Sequence, residues 1–117
     1  MGRTYEAVSR KSKPRDFDTN FSGASVLGII SFEVGFYSKP LYEREYSNGY
    51  REKCTPFEAN KEDCIKAGHS LLILPKESRE KLYAECKPMI DMTYEEFSDF
   101  INDWATFLKN CGGYNVY

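Results

Sequence analysis

The feature that most constrains the fold is the segment 91–113, DMTYEEFSDFINDWATFLKNCGG, which predicts one long amphipathic helix with both ends marked. Thr93 and Glu96 form a capping box, in which each side chain accepts a hydrogen bond from a backbone N–H that the helix leaves unpaired. A glycine at 112 or 113 ends the helix by adopting the left-handed conformation. Apolar residues recur at spacings of three and four and form one broad face that must pack on a core: Phe97, Phe100, Ile101, Trp104, Phe107, Leu108 and Cys111.

The two ends of the chain are predicted to pair as strands. Residues 4–9 (TYEAVS) and 114–117 (YNVY) are short, extended-looking segments, each too weak to be stable alone. A terminal strand is best held by another strand, and a glycine turn after the last helix can return the C-terminus beside Tyr5 to Ser9. We therefore expect an antiparallel pair made of the first and last strands.

A second helix is predicted to begin at residue 55. Thr55 is its expected cap, Pro56 takes the first helical position, where a missing N–H is tolerated, and Glu58 completes another capping box. Pro75 is expected to close this helix. Its buried side is predicted to consist of Phe57, Cys64, Ala67 and Leu71.

Two further helices have weaker patterns. One runs from about Lys76 until Pro88, since proline disfavours helix at the residue before it. The segment 21–38, FSGASVLGIISFEVGFYS, is almost continuously apolar and would suit a buried strand, but its length favours a buried helix capped by Ser22 and ended by Gly35. Two small residues of this helix are expected to allow close packing: Ala24 and Gly28.

Together these elements predict an α+β fold that is mainly α, with about four helices and a small antiparallel sheet pairing the N- and C-terminal strands. The 117 residues are expected to form a single compact domain over residues 1–117, because a domain near this size buries roughly two thirds of its unfolded surface. Residues 38–55 are predicted to be one long connection with a turn at 47–49, Ser-Asn-Gly.

The composition excludes several classes of protein. With 41% hydrophobic and 15% aromatic residues, the chain is too apolar for general disorder. No run approaches the roughly 18 apolar residues that a membrane span needs, and the first ten residues lack the apolar stretch of a signal peptide. We therefore expect a cytoplasmic protein with no membrane partner.

The cysteines do not predict a metal site. Cys54, Cys64, Cys86 and Cys111 include no C-x-x-C pair, and the chain has one histidine, His69. This spacing is not that of a zinc site, and without a secretory signal we expect reduced thiols rather than disulfides. We expect no cofactor and no bound metal.

Three stretches carry a resemblance to a known family. The turn SNGY at 47–50, the capped segment TPFEANKEDC at 55–64 and the ending FSDFINDWATFLKNCGGYNVY at 97–117 resemble a family of short bacterial proteins of uncharacterised function. The match is one of layout, over about 70 residues. The resemblance implies a bacterial or phage origin and implies no activity.

Two features favour binding to another protein. Four tyrosines crowd into residues 37–50 beside arginines, and interfaces concentrate their binding energy in Tyr and Arg. The last helix carries a like-charged stripe opposite its apolar face, and a stripe that repels itself is suited to a basic partner. The predicted partner-binding residues are Tyr42, Arg44, Tyr46, Tyr50, Glu95, Glu96, Asp99 and Asp103.

Two alternatives remain open. A small enzyme could be centred on His69, the one side chain that titrates unperturbed near neutrality, although its spacing from Cys64 does not place the two on one helical face. Carboxylates for a metal could come from Glu58, Glu62 and Asp63, whose spacing is also that of a solvated helix face. A nucleic-acid-binding protein could use the basic arm 10–15, RKSKPR, but the rest of the chain is acidic and no aromatic residue interrupts that arm.

We therefore expect a non-enzymatic bacterial or phage protein that acts by protein–protein binding, of the immunity or inhibitor type. The expected partner is another protein with a basic surface, in preference to a nucleic acid.

Overall fold

A computed structural model describes residues 3–36, 39–45 and 51–116, and it describes no side chain at position 21 or in the ranges 39–45 and 51–58. Within these ranges the chain forms five strands, four α-helices and a short 3-10 helix. The strands are β1 (Arg3–Ala7), β2 (Asp16–Thr19), β3 (Lys39–Glu45), β4 (Arg51–Asn60) and β5 (Gly113–Val116). The helices are α1 (Phe21–Glu33), α2 (Lys61–Leu72), α3 (Lys76–Cys86) and α4 (Tyr94–Asn110), with the 3-10 helix at Lys87–Met89.

The predicted pairing of the chain ends is confirmed. Strand β5 lies antiparallel to β1, with Tyr5 opposite Val116 and Ala7 opposite Tyr114. The sheet is larger than predicted, because its order is β2-β1-β5-β4-β3 and all of its neighbours are antiparallel. The mainly helical α+β class with four helices is likewise confirmed.

Helix α4 supplies the centre of the core, as its periodicity predicts. The capping box is present: the Thr93 N–H donates to Glu96 Oε1 at 3.0 Å, and the Glu96 N–H donates to Thr93 Oγ1 at 3.2 Å. Trp104 is buried against aromatic rings of both the first and the last strand, with ring centroids 4.9 Å from Tyr5 and 5.7 Å from Tyr114. The buried face of α4 therefore joins the helices to the paired ends of the chain.

Helix α2 approaches α4 closely because a glycine lies at their crossing. A Cβ added to Gly68 would stand 2.7 Å from the Ala105 carbonyl oxygen, closer than real side chains come. After α4, Gly113 opens β5 with φ of 98°, and a Cβ there would stand 2.6 Å from the Ala59 carbonyl oxygen. The turn into the last strand therefore depends on glycine for both its backbone angle and its space.

The predicted start of the second helix is wrong. Residues 55–60 belong to β4, and α2 begins at Lys61 with Asn60 as its cap, whose Oδ1 accepts from the Asp63 N–H at 2.8 Å. The sequence does contain a signal for this start, because Asn60 is a preferred cap residue and lies three positions before Asp63. Pro56 is tolerated in this strand because the β3–β4 register shifts opposite it and the β5 pairing begins only at Glu58.

The connection predicted over 38–55 is also wrong in its described part, since Lys39–Glu45 and Arg51–Asn60 pair as β3 and β4. The predicted turn at 47–49 lies outside the described residues.

The basic arm forms a hairpin loop between β1 and β2. The Ala7 N–H donates to the Arg15 carbonyl oxygen at 2.9 Å, and the chain continues into β2, which the sequence did not predict. Ser12 is buried within the loop, and its hydroxyl donates to the Pro14 carbonyl oxygen at 2.5 Å. The four basic side chains are exposed around this loop: Arg10, Lys11, Lys13 and Arg15.

The apolar segment after β2 is a helix, as its length predicts. Its cap is Asn20 rather than Ser22, with the Gly23 N–H donating to Asn20 Oδ1 at 2.7 Å, and Gly35 follows its end with φ of 71°. Among the described helices, none combines the length and the apolarity required to cross a membrane.

Candidate binding surface

A cleft between α1 and α3, of about 440 Å³, is present among the described residues. This volume lies in the range of ligand sites, roughly 300–1,000 Å³. The cleft is lined by Ser25, Gly28, Ile29, Phe32, Glu33, Leu82 and Glu85. Helix α1 is apolar on two opposite faces, and the core covers one of them.

The inner face of α1 is anchored in the core. Val26 and Ile30 are fully buried, and the Trp104 Nε1–H donates to Ser31 Oγ at 3.3 Å across the interior. This bond satisfies the indole donor and fixes the rotation of α1 about its axis. The rotation decides which residues of the apolar helix face outwards.

The outer face of α1 forms one wall of the cleft. Phe32 is 65% exposed, and Ile29 is partly buried beside it. The close packing expected at Gly28 is wrong, because Gly28 is exposed and an added Cβ would meet nothing within 4 Å. A helix that is apolar all round is normally covered on every side, so this open face is a candidate contact surface.

Two carboxylates accompany the apolar residues of the cleft. Glu33 ends α1, Glu85 lies in the last turn of α3, and both are exposed. Burial, and then the charge of Glu85, raise the pKa of the neighbouring Cys86 thiol to about 11. The cleft therefore offers a ligand an apolar surface with negative charge at its margin.

The acidic stripe of α4 lies where the sequence predicts. Glu95, Glu96, Asp99 and Asp103 are all exposed on α4. Glu96 is engaged in the capping box, so the stripe consists mainly of Glu95, Asp99 and Asp103 at successive four-residue spacings. The structure brings these three carboxylates onto one helical face.

The predicted tyrosine surface is only partly within the described residues. Tyr42 and Arg44 belong to β3, an edge strand of the sheet. Tyr46 and Tyr50 lie outside the described residues. Their role in binding stays a prediction.

The residues of the enzyme alternative are not brought together. His69 is exposed in the last turn of α2, whereas Cys64 is fully buried. Glu62 and Asp63 are exposed on the first turn of α2. In the part of the chain that the structure describes, no three His, Cys, Asp or Glu side chains cluster closely enough to hold a metal ion.

Sequence reasoning missed one important residue near this surface. Arg79 of α3 is 7% exposed, and its guanidinium donates to the Leu71 carbonyl oxygen at 3.0 Å and to Asn102 Oδ1 at 2.9 Å. It also reaches carbonyl oxygens of Leu72, Leu74 and Ser98 and the Ser98 hydroxyl. Arg79 thus fixes α3 against both α2 and α4, and so fixes the wall of the cleft that α3 provides.

Comparison of the chain with protein-family models, with curated proteins and with solved structures gave no match. The layout resemblance to short bacterial proteins therefore stays an expectation from the sequence.

Proposed function

We propose that this protein acts by binding another protein, and that the cleft between α1 and α3 receives an amphipathic, basic segment of that partner. The observation that carries the proposal is the open apolar face of α1, where Phe32 is 65% exposed beside the cleft. A helix-in-groove contact uses this arrangement, because the apolar side of the incoming helix fills the groove while its polar side stays in water.

The charge of the surface argues for a basic partner. Glu33 and Glu85 stand at the cleft, and three more carboxylates follow the outer side of α4. Outside residues 1–15, which hold five basic and one acidic side chain, the chain has 17 acidic against 11 basic residues. This excess of negative charge accelerates the encounter with a positively charged partner and makes the association sensitive to salt.

The proposed biological role rests on the size, charge and expected origin of the chain. A small, acidic protein of bacterial or phage origin that binds a basic partner suits an immunity or inhibitor role. The tyrosines of residues 42–50 and the α4 stripe are proposed as further contacts with the partner.

The test is a comparison of matched variants in affinity capture from extracts of the source cells. Phe32→Ser removes the exposed apolar contact, and Ile73→Ser is its control, because Ile73 is 66% exposed at the end of α2. Glu85→Lys reverses a charge at the cleft, and Glu77→Lys makes the same change on an exposed residue elsewhere on α3. None of these side chains is buried, so all four variants should fold.

We expect a protein retained by the native chain and by both controls, and lost with Phe32→Ser and Glu85→Lys. With the purified partner, Phe32→Ser should weaken binding at least about tenfold, as for an interface hot spot, and added salt should weaken it further. If the cleft variants still retain the partner protein and Asp99→Asn/Asp103→Asn loses it, the cleft is refuted as the binding site and binding is assigned to α4. An eluate that contains only nucleic acid, or nothing, would refute the proposed function.

A further inference from the structure

Two buried cysteines that are far apart in the sequence meet in the structure. Cys64 lies in the first turns of α2 and Cys111 caps the end of α4, and each is 0% exposed. The Cys111 thiol donates to the Leu108 carbonyl oxygen at 3.4 Å. Asn60, which caps α2, pairs with Gly113 just after Cys111, so the Cys64 and Cys111 thiols lie beside each other where α2 meets the end of α4.

The backbone holds this contact in place. One turn along α2 from Cys64, the crossing at Gly68 leaves no room even for a methyl group against Ala105 and Lys109 of α4. Beyond Cys111, the Ser9 N–H donates to the Cys111 carbonyl oxygen at 2.8 Å and ties it to the end of β1. Since both neighbours of the pair are fixed, the sulfurs cannot drift apart without opening the α2–α4 interface.

We propose that Cys64 and Cys111 form a modification site at which a hydroperoxide closes a reversible disulfide between α2 and α4. The Cys111 thiolate attacks the O–O bond, which breaks to give a cysteine sulfenic acid and hydroxide. The Cys64 sulfur then attacks the sulfenic sulfur, forming the S–S bond and releasing water. The two thiol protons end in water, so that two thiols and one hydrogen peroxide give one disulfide and two waters.

The surroundings assign the roles of the two sulfurs. The hydrogen bond with Cys64 is the main cause that lowers the pKa of Cys111, whereas the same bond, with burial, raises the pKa of Cys64. Cys111 is therefore the sulfur that ionises and attacks first, since the thiolate is the nucleophile. Cys64 is then the resolving cysteine, beside Cys111 in the α2–α4 interface.

The disulfide would act as a stabilising lock. It would join the start of α2 to the residue that precedes β5 and close a long loop of chain, which restricts the unfolded state. Because both sulfurs are shielded from solvent, the rate of oxidation should follow local opening of the α2–α4 interface.

The test is treatment of the native chain with hydrogen peroxide, followed by alkylation under denaturing conditions and tryptic mapping by mass spectrometry. Trypsin cleaves after Lys61, Lys66 and Lys109, so Cys64 and Cys111 fall in separate peptides. We expect these two peptides to be joined, to separate on addition of dithiothreitol, and to be joined equally in a Cys54→Ser/Cys86→Ala background. The oxidised protein should keep its circular dichroism spectrum and unfold at a higher temperature than the reduced protein.

Two results would overturn the proposal. One is oxidation of Cys54, Cys86 or methionines while Cys64 and Cys111 stay unlinked, including at low urea concentrations that promote local opening. The other is a linked protein that has lost its native spectrum or unfolds at a lower temperature, since the native contact would then not accommodate the bond. Cys111→Ala and Cys64→Ala are the matched variants: only the second should accumulate a sulfenic acid at the remaining cysteine of the pair.

Discussion

Replacement of Arg79 by methionine should destabilise the protein strongly, although Arg79 contacts no carboxylate among the described residues. Its guanidinium donates to oxygen atoms: carbonyl oxygens at and just after the end of α2, and side-chain oxygens of Ser98 and Asn102 in α4. The carbonyl oxygens at the end of a helix carry the negative end of the helix dipole, so they compensate the positive charge. Methionine keeps most of the packing of the side chain but removes every donor.

The magnitude follows from the acceptors that would lose their donor. The bond to the Leu71 carbonyl oxygen is buried, and those to Ser98 and Asn102 are partly buried. A buried acceptor left without a partner costs about 1–3 kcal/mol, and acceptors that water can reach cost less. Loss of the favourable charge at the α2 terminus adds about 1 kcal/mol. We therefore expect Arg79→Met to lower the free energy of unfolding by about 3–5 kcal/mol, a large part of the 5–15 kcal/mol typical of a domain.

The assay is equilibrium unfolding in urea, followed by tryptophan fluorescence of Trp104, with Lys81→Met as the control on an exposed position of the same helix. Arg79→Lys should recover part of the loss, because lysine restores the charge but cannot spread its donors over α2 and α4. A loss below about 1 kcal/mol for Arg79→Met, or equal losses for Arg79→Met and Lys81→Met, would refute the reasoning.

Three further predictions test the backbone and the pH dependence. Gly113→Ala should cost several times the roughly 1 kcal/mol of an ordinary glycine substitution, because the added Cβ would stand 2.6 Å from a carbonyl oxygen. Gly28→Ala should instead stabilise α1, since its Cβ would meet nothing within 4 Å. Thermal melting of both variants checks this, and equal effects would contradict it. Asn60→Ala should cost about 1 kcal/mol through loss of the α2 cap, measured by urea unfolding, and no loss would mean that the cap does not contribute. Burial raises the pKa of Cys86 from its ordinary value of 9.0 to about 11. As the pH rises, the unfolded chain therefore loses the thiol proton before the folded chain does. The free energy of unfolding should fall between pH 9 and 11 by about 2 kcal/mol. Cys86→Ala should flatten that decline, and an unchanged slope would assign it to other groups.

Helix α4 and the two ends of the chain were predictable because their signals are local. The capping box at Thr93 and Glu96, the apolar period from Phe97 and the glycines after the helix act within a few residues of each other. Such interactions exist in any chain that folds into this helix, whatever the rest of the molecule does. The predicted acidic stripe was recovered for the same reason, since residues opposite an apolar face must be exposed.

The β3–β4 hairpin and β2 were not predictable in this way. Thr55, Pro56 and Glu58 satisfy the local pattern of a helix start, but the backbone there pairs with β3 and, from Glu58 onwards, with β5. Pairing with strands from elsewhere in the chain outweighs a local capping preference of about 1 kcal/mol.

The sequence by itself determined the number of helices, the C-terminal helix with its caps and the terminal strand pair. Only the tertiary structure decided which face of α1 stays open, that Arg79 is buried among helix carbonyls, and that Cys64 meets Cys111. The physical reason is that each of these depends on how helices dock. Docking is set by side-chain volumes and close backbone approaches between distant segments, such as Gly68 against Ala105, and no pattern within one segment encodes it.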